Sequence, residues 1–197
     1  MKNAIENRLK KAAAVVLSLI MVAGFAGCDM FGVRKAQSAM HYTLTNFNKA
    51  LNELDYEAVR SLSDWTEDDS DYKAVEELFD TSYYGDEEGE GFVACTEYIA
   101  STITINFNLT SVAPKGSQAS VNVKYEMVDW QQVYEKTHGS YDEVLEDLKN
   151  CQDKTTIEAV VVLENVDGEN DWRLCQINDL ATVMSFVHTL PEIDVLE

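Results

Sequence analysis

Apolar residues recur at steps of three and four through Val33, Ala36, Met40, Leu44, Phe47, Leu51 and Leu54, the stripe of one amphipathic helix of about 20 residues. Asp55 is placed to cap a second short helix, Tyr56 to Leu62, and Ser70 a third that runs to Phe79 with Tyr72, Val75, Leu78 and Phe79 inward. Residues 83 to 91 read as an acidic loop and Phe92 to Ala100 as a helix. The period then drops to two. Ile103, Ile105, Phe107 and Leu109 alternate with Thr and Asn, and Val121, Val123, Tyr125 and Met127 alternate with polar residues. Two half-buried antiparallel strands are predicted, turned at Pro114, Lys115 and Gly116. Gln131 to Asn150 reads as a helical insertion broken at Gly139, with Tyr141, Val144, Leu145 and Leu148 on one face. Ile157 to Glu164 and Trp172 to Ile177 make a second hairpin bent at Asp167 and Gly168, and Val183, Phe186 and Val187 a last helix before Pro191. Helices first and antiparallel strands after predict an α+β domain, with N-terminal helices packed on one curved antiparallel sheet.

Ahead of this pattern, Lys2, Arg8, Lys10 and Lys11 precede an apolar run from Ala12 to Gly27. A membrane-crossing helix wants about 20 apolar residues, so this shorter run reads as a cleaved export signal. Its end, Ala26, Gly27 and Cys28, resembles the lipobox of bacterial lipoproteins. The resemblance implies cleavage between Gly27 and Cys28, lipidation of the Cys28 sulfur, and anchoring on the extracytoplasmic face of the cell membrane. Residues 1–27 are then the signal, 28–33 a short tether, 34–190 one domain and 191–197 a tail.

Charge sharpens this picture. The whole chain of 197 residues carries −20, which disfavours nucleic acid as a partner. Without the first 28 residues the charge is −23, unevenly spread. Residues 29–63 are neutral, whereas 64–90 hold twelve acids and one base, Lys73. The neutral first helix is expected to face the membrane and the acidic stretch to point away from it.

Candidate chemistry is sparse. With Cys28 assigned to lipid, Cys95, Cys151 and Cys175 remain, so at most one disulfide forms within the chain; core thiols, one disulfide and redox chemistry stay open. His41, His138 and His188 lack any metal-ligand spacing, and His188 suits a helix C-terminus. The acids Asp64, Glu67, Asp68, Asp69 and Asp71 do not follow a calcium-loop order, and read as solvated surface. No catalytic residue, metal site or cofactor is expected. Trp65, Tyr83, Tyr84 and Trp130 flank element ends and are candidate residues of a pocket rim.

The opening helix with "FNKALNELDYEAV" (47–59) and the late strand "NDWRLCQIND" (170–179) resemble the NTF2-like (cystatin-like) α+β roll, the helical insertion between strands being a departure. That resemblance implies a cone between sheet and helices. Three functions stay open: a non-catalytic domain binding a small molecule or an envelope protein, an envelope enzyme using a buried carboxylate or Tyr in the cone that the resemblance implies, or an acidic interaction subunit of a surface complex that docks through its acidic face.

Overall fold

The computed structural model describes residues 32–66, 68–81 and 88–194, without the side chains of residues 70, 71 and 88. The first helix, α1, spans 32–52. Its stripe of Ala36, Met40, Leu44, Phe47, Ala50 and Leu51 is at most 5% exposed. Each large side chain so buried stabilises the fold by about 1.5–3 kcal/mol before entropy is counted. Leu54 ends the helix in the left-handed region (φ 50°), with the Asp55 N–H donating back to the Ala50 carbonyl at 2.9 Å. Asp55 then caps α2 (Tyr56–Ser61), its carboxylate accepting from the Ala58 N–H.

The next helix, α3 (Ser70–Leu78), has Asp69 rather than Ser70 at its cap position. The Asp69 carboxylate instead accepts from the Thr66 N–H and hydroxyl, which holds that group ionised to lower pH than usual. The expected acidic loop at 83–91 lies outside the described residues up to 87. Helix α4 (Glu88–Ser101) starts earlier than the apolar pattern predicts.

Four strands follow: β1 (Thr104–Phe107), β2 (Gln118–Val128), β3 (Lys154–Val166) and β4 (Asp171–Ile177). They form one antiparallel sheet in the order β1-β2-β3-β4. Between β2 and β3 come α5 (Trp130–Tyr134) and α6 (Tyr141–Asn150). The ladder simply resumes after them, Val128 pairing with Lys154, so the insertion leaves the strand order untouched. Helix α7 (Leu180–Val183) and a 3-10 turn (Ser185–His188) close the core. The His188 Nε2 donates to the Glu77 carbonyl at 3.0 Å. Residues 192–194 dock as a short strand beside His138, with backbone bonds of 3.2 and 2.8 Å. No helix among the described residues is long and apolar enough to cross a membrane.

The inner face of the sheet, including Val121, Tyr125, Met127, Val161, Leu163 and Leu174, is buried against the helices. Helix α1 lies between the two free edges of this sheet. On the β1 side, the Ile105 N–H donates to Asn48 Oδ1, and Asn52 Nδ2 donates to the carbonyls of Ala100 and Ile103 at 2.7 and 2.8 Å. Gln37 Nε2 donates to the Leu109 carbonyl at 2.7 Å. On the β4 side, the buried Thr43 hydroxyl donates to the Trp172 carbonyl. Leu174 is paired with residues 62 and 64 through bonds of 2.8 and 3.1 Å. The sheet has to curve for one helix to serve both edges.

Asn48→Ala removes the acceptor of the Ile105 N–H and is expected to cost about 1–3 kcal/mol, read as a lowered urea midpoint. Lys49→Ala, on the exposed side of the same helix, is expected to stay within about 0.5 kcal/mol. Equal midpoints for the two variants would mean that solvent serves the β1 edge as well as Asn48 does.

Candidate functional site

The space between sheet and helices, where the roll resemblance implies a cone, is filled. Phe47, Tyr125, Met127, Leu163 and Phe186 are fully buried there. Tyr125 is sealed in, its hydroxyl has no hydrogen-bond partner among the described residues, and burial raises its pKa well above that of a free phenol. Trp130, expected at a pocket rim, is 5% exposed and packs edge-on against Tyr134 and Phe186 in the core. Trp65 does line a cleft of about 550 Å³, together with Val75, Leu78 and Leu180. Its indole N–H is committed, donating to the Cys175 carbonyl at 2.9 Å. Gly27, Cys28, Tyr83 and Tyr84 lie outside the described residues.

Two arrangements stand on the surface. The first is a groove of about 760 Å³ between the first half of α1 and the free edge of β1. Arg34, Gln37, Ser38, His41 and Thr45 line one wall, and residues 105–110 the other. The His41 ring meets Phe107 edge-on at 5.4 Å, and its Nδ1 lies 3.3 Å from the Thr45 hydroxyl. Asn108 is turned onto its own loop, its Oδ1 accepting from the Thr110 N–H and hydroxyl. Among the described residues no carboxylate lines this groove, although the chain carries −20.

The second is a cluster on the opposite face of the sheet, where Asp64, Glu164 and Cys175 bring one donor atom each within 4.8 Å of one another. A β-bulge builds it. Val162 pairs with Gln176 but Leu163 with Leu174, so Cys175 is the extra residue, turned to the face opposite Leu174. The segment ending at Asp64 is brought alongside by its pairing with Leu174.

The three groups differ in their titration. Gln118 Nε2 and the Ser117 hydroxyl donate to Glu164 and hold its pKa below the usual range. Asp64, half-buried, is pushed up by desolvation. Burial, and then the two carboxylates, push the Cys175 thiol up to about 11. At neutral pH this is a protonated thiol beside two carboxylates, the reverse of a nucleophile's setting. The same three side chains are the described donors that meet closely enough to hold a cation. Their mix of hard oxygen and soft sulfur favours no single metal.

All three described cysteines are free thiols. Cys95 is a core residue, as its apolar surroundings imply, and burial pushes its pKa up to about 11 as well. Cys175 is not a core thiol: it follows the inward Leu174 and turns to the other face, and the bulge then puts Gln176 on that face too and Ile177 back on the inner one. The signal was present in β4, where apolar residues at 172 and 174 are followed by one at 177, a slip in the period of two.

Alkylation of Cys95 and Cys175 by iodoacetamide at pH 8, followed by peptide mass spectrometry, should be about tenfold or more slower than in the urea-unfolded chain. The Cys175 rate should keep rising to about pH 11 and shift to lower pH in Asp64→Asn; a plateau by pH 9 would refute the protonated thiol. Both thiols stabilise the fold below their ordinary pKa of 9.0, and that contribution is lost as pH rises through 11. The urea midpoint should therefore fall over that window.

None of the known protein families, curated proteins or solved structures matches the chain, so its own side-chain geometry carries the functional reading.

Proposed function

We propose that this chain is an exported lipoprotein, cleaved ahead of Cys28 and lipidated there, which displays a non-catalytic binding domain at the outer face of a bacterial cell membrane. The observation that carries the reading is the order of its first 28 residues: basic start, short apolar run, two small residues, cysteine. The start of α1 at residue 32 supports it. Only residues 29–31 stand between Cys28 and that point, roughly 10 Å of extended chain at about 3.4 Å per residue, so a lipid on Cys28 would hold the domain close to the bilayer. Acyl chains contribute roughly 0.8 kcal/mol per buried methylene, and more than one chain makes a stable anchor.

The packed interior supports binding over catalysis. In the roll architecture that the chain resembles, an enzyme would hold substrate where Phe47, Tyr125 and Phe186 are fully buried here. Ligands are left with the surface, where the α1–β1 groove is nearest in sequence to the lipid.

Metabolic labelling of the full chain with an alkyne fatty acid, with intact mass of the product, tests the anchor. The expected result is a labelled species whose polypeptide begins at Cys28. In Cys28→Ala the label should disappear and unprocessed precursor accumulate. Unchanged labelling and size in the variant would sink the proposal.

A further inference from the structure

Antiparallel pairing gives the edge of β1 a definite hydrogen-bonding pattern. Alternate residues turn their N–H and C=O either toward β2 or outward. Ile105 donates to Asn48 on α1, so Ile105 is an outward residue, and two positions on, Phe107 must be outward too. Side chains of α1 serve the outward groups on either side, Asn48 at Ile105 and Gln37 at Leu109. The other edge of the sheet is served likewise, by Thr43 at Trp172 and by residues 62 and 64 at Leu174. Among the described residues no hydrogen bond reaches the Phe107 N–H or C=O. The α1 residues opposite Phe107 are His41 and Thr45, which bond to each other instead.

This gap opens into the α1–β1 groove. From Thr45 to Arg34 the α1 wall is eleven residues, about 16 Å at 1.5 Å per residue. About five residues of extended chain, at 3.3 Å each, fit that length. Arg34 stands at one end with no ion pair among the described residues, beside the loop that follows β1. Among the described residues the groove thus holds one unserved strand residue, Phe107, a single exposed guanidinium and no acid, on a chain that is acidic elsewhere. Pairing with a second copy of this edge would set two Arg34 guanidiniums and two chains of −20 against each other.

We propose that the α1–β1 groove binds the C-terminal end of an extended peptide. The peptide lies parallel to β1, its main chain pairs with the Phe107 N–H and C=O, and its terminal carboxylate meets Arg34. This is strand addition, in which backbone bonds give affinity and a carboxylate contact fixes register. It rests on the reading of the chain as a binding domain, but not on the lipid anchor.

The test is titration of the ¹⁵N-labelled full chain, in detergent micelles, with a pool of random pentapeptides bearing free C-terminal carboxylates, and with the same pool amidated. Shifts are expected at the amides of Phe107 and Asn108 and at the Arg34 side chain. Apparent affinity should be at least fivefold weaker for the amidated pool. Arg34→Gln, an exposed substitution that leaves the fold intact, should abolish that difference. No response at Phe107, or equal response to both pools, overturns the proposal. Concentration-dependent shifts at Phe107 without peptide would assign the edge to self-pairing and overturn it too. Fatty-acid labelling of Cys28 is unaffected by either result, so the anchor and the groove stand or fall separately.

Discussion

The outward backbone groups of a sheet's edge strands need partners, and in this protein one helix supplies several of them at both edges. Amides on one flank of α1 meet β1 while Thr43 on another meets β4. Between those flanks runs the apolar stripe that covers the inner face. Polar and apolar contacts therefore fix the same register. A one-residue rotation of α1 would unseat Phe47 and Leu44 and at the same time strand the Ile105 N–H. Curvature of the sheet, burial of the core and the covering of its edges everywhere but at Phe107 all depend on where this helix sits.

Much of the architecture was legible because it rests on periodicity. The stripe from Ala36 to Leu51, the alternation in β2 and the two-part helical insertion each carry their period in plain view. What escaped was the part that depends on partners distant in sequence. Asn48, Asn52 and Gln37 look like an ordinary solvated helix face until β1 is laid beside them. Trp130 reads as a rim residue because it follows a strand end, yet the three aromatic rings of Trp130, Tyr134 and Phe186 meet only after the chain folds. The cluster joins Asp64 to Glu164 and Cys175, 100 and 111 positions further on, through the pairing of its segment with β4. Residues 192–194, which by sequence follow the last helix as a bare tail, pair with His138.

Electrostatics divides the surface in a way that overall charge conceals. Of the described carboxylates, Glu164 is held ionised by neutral donors and Asp147 chiefly by Lys136, whereas Asp64 is driven toward its neutral form by burial. These groups share a chain and even a cluster, but each answers to its own few neighbours. The α1–β1 groove is the complementary case, a neutral-to-basic strip on an acidic protein. Screening over about 8 Å at physiological salt lets such a strip present its own sign to a ligand at contact.

The position of α1 also has a mechanical meaning. A pull on the chain ahead of residue 32 enters the domain through this helix. It is passed to the sheet by Gln37, Thr43, Asn48 and Asn52, spread over fifteen residues or about 22 Å of helix. Along the helix axis such bonds bear load together, in shear, and three of the four grip the β1 side of the sheet while Thr43 grips the other. A force from the N-terminus is thereby shared between the two edges of the sheet rather than borne by one strand.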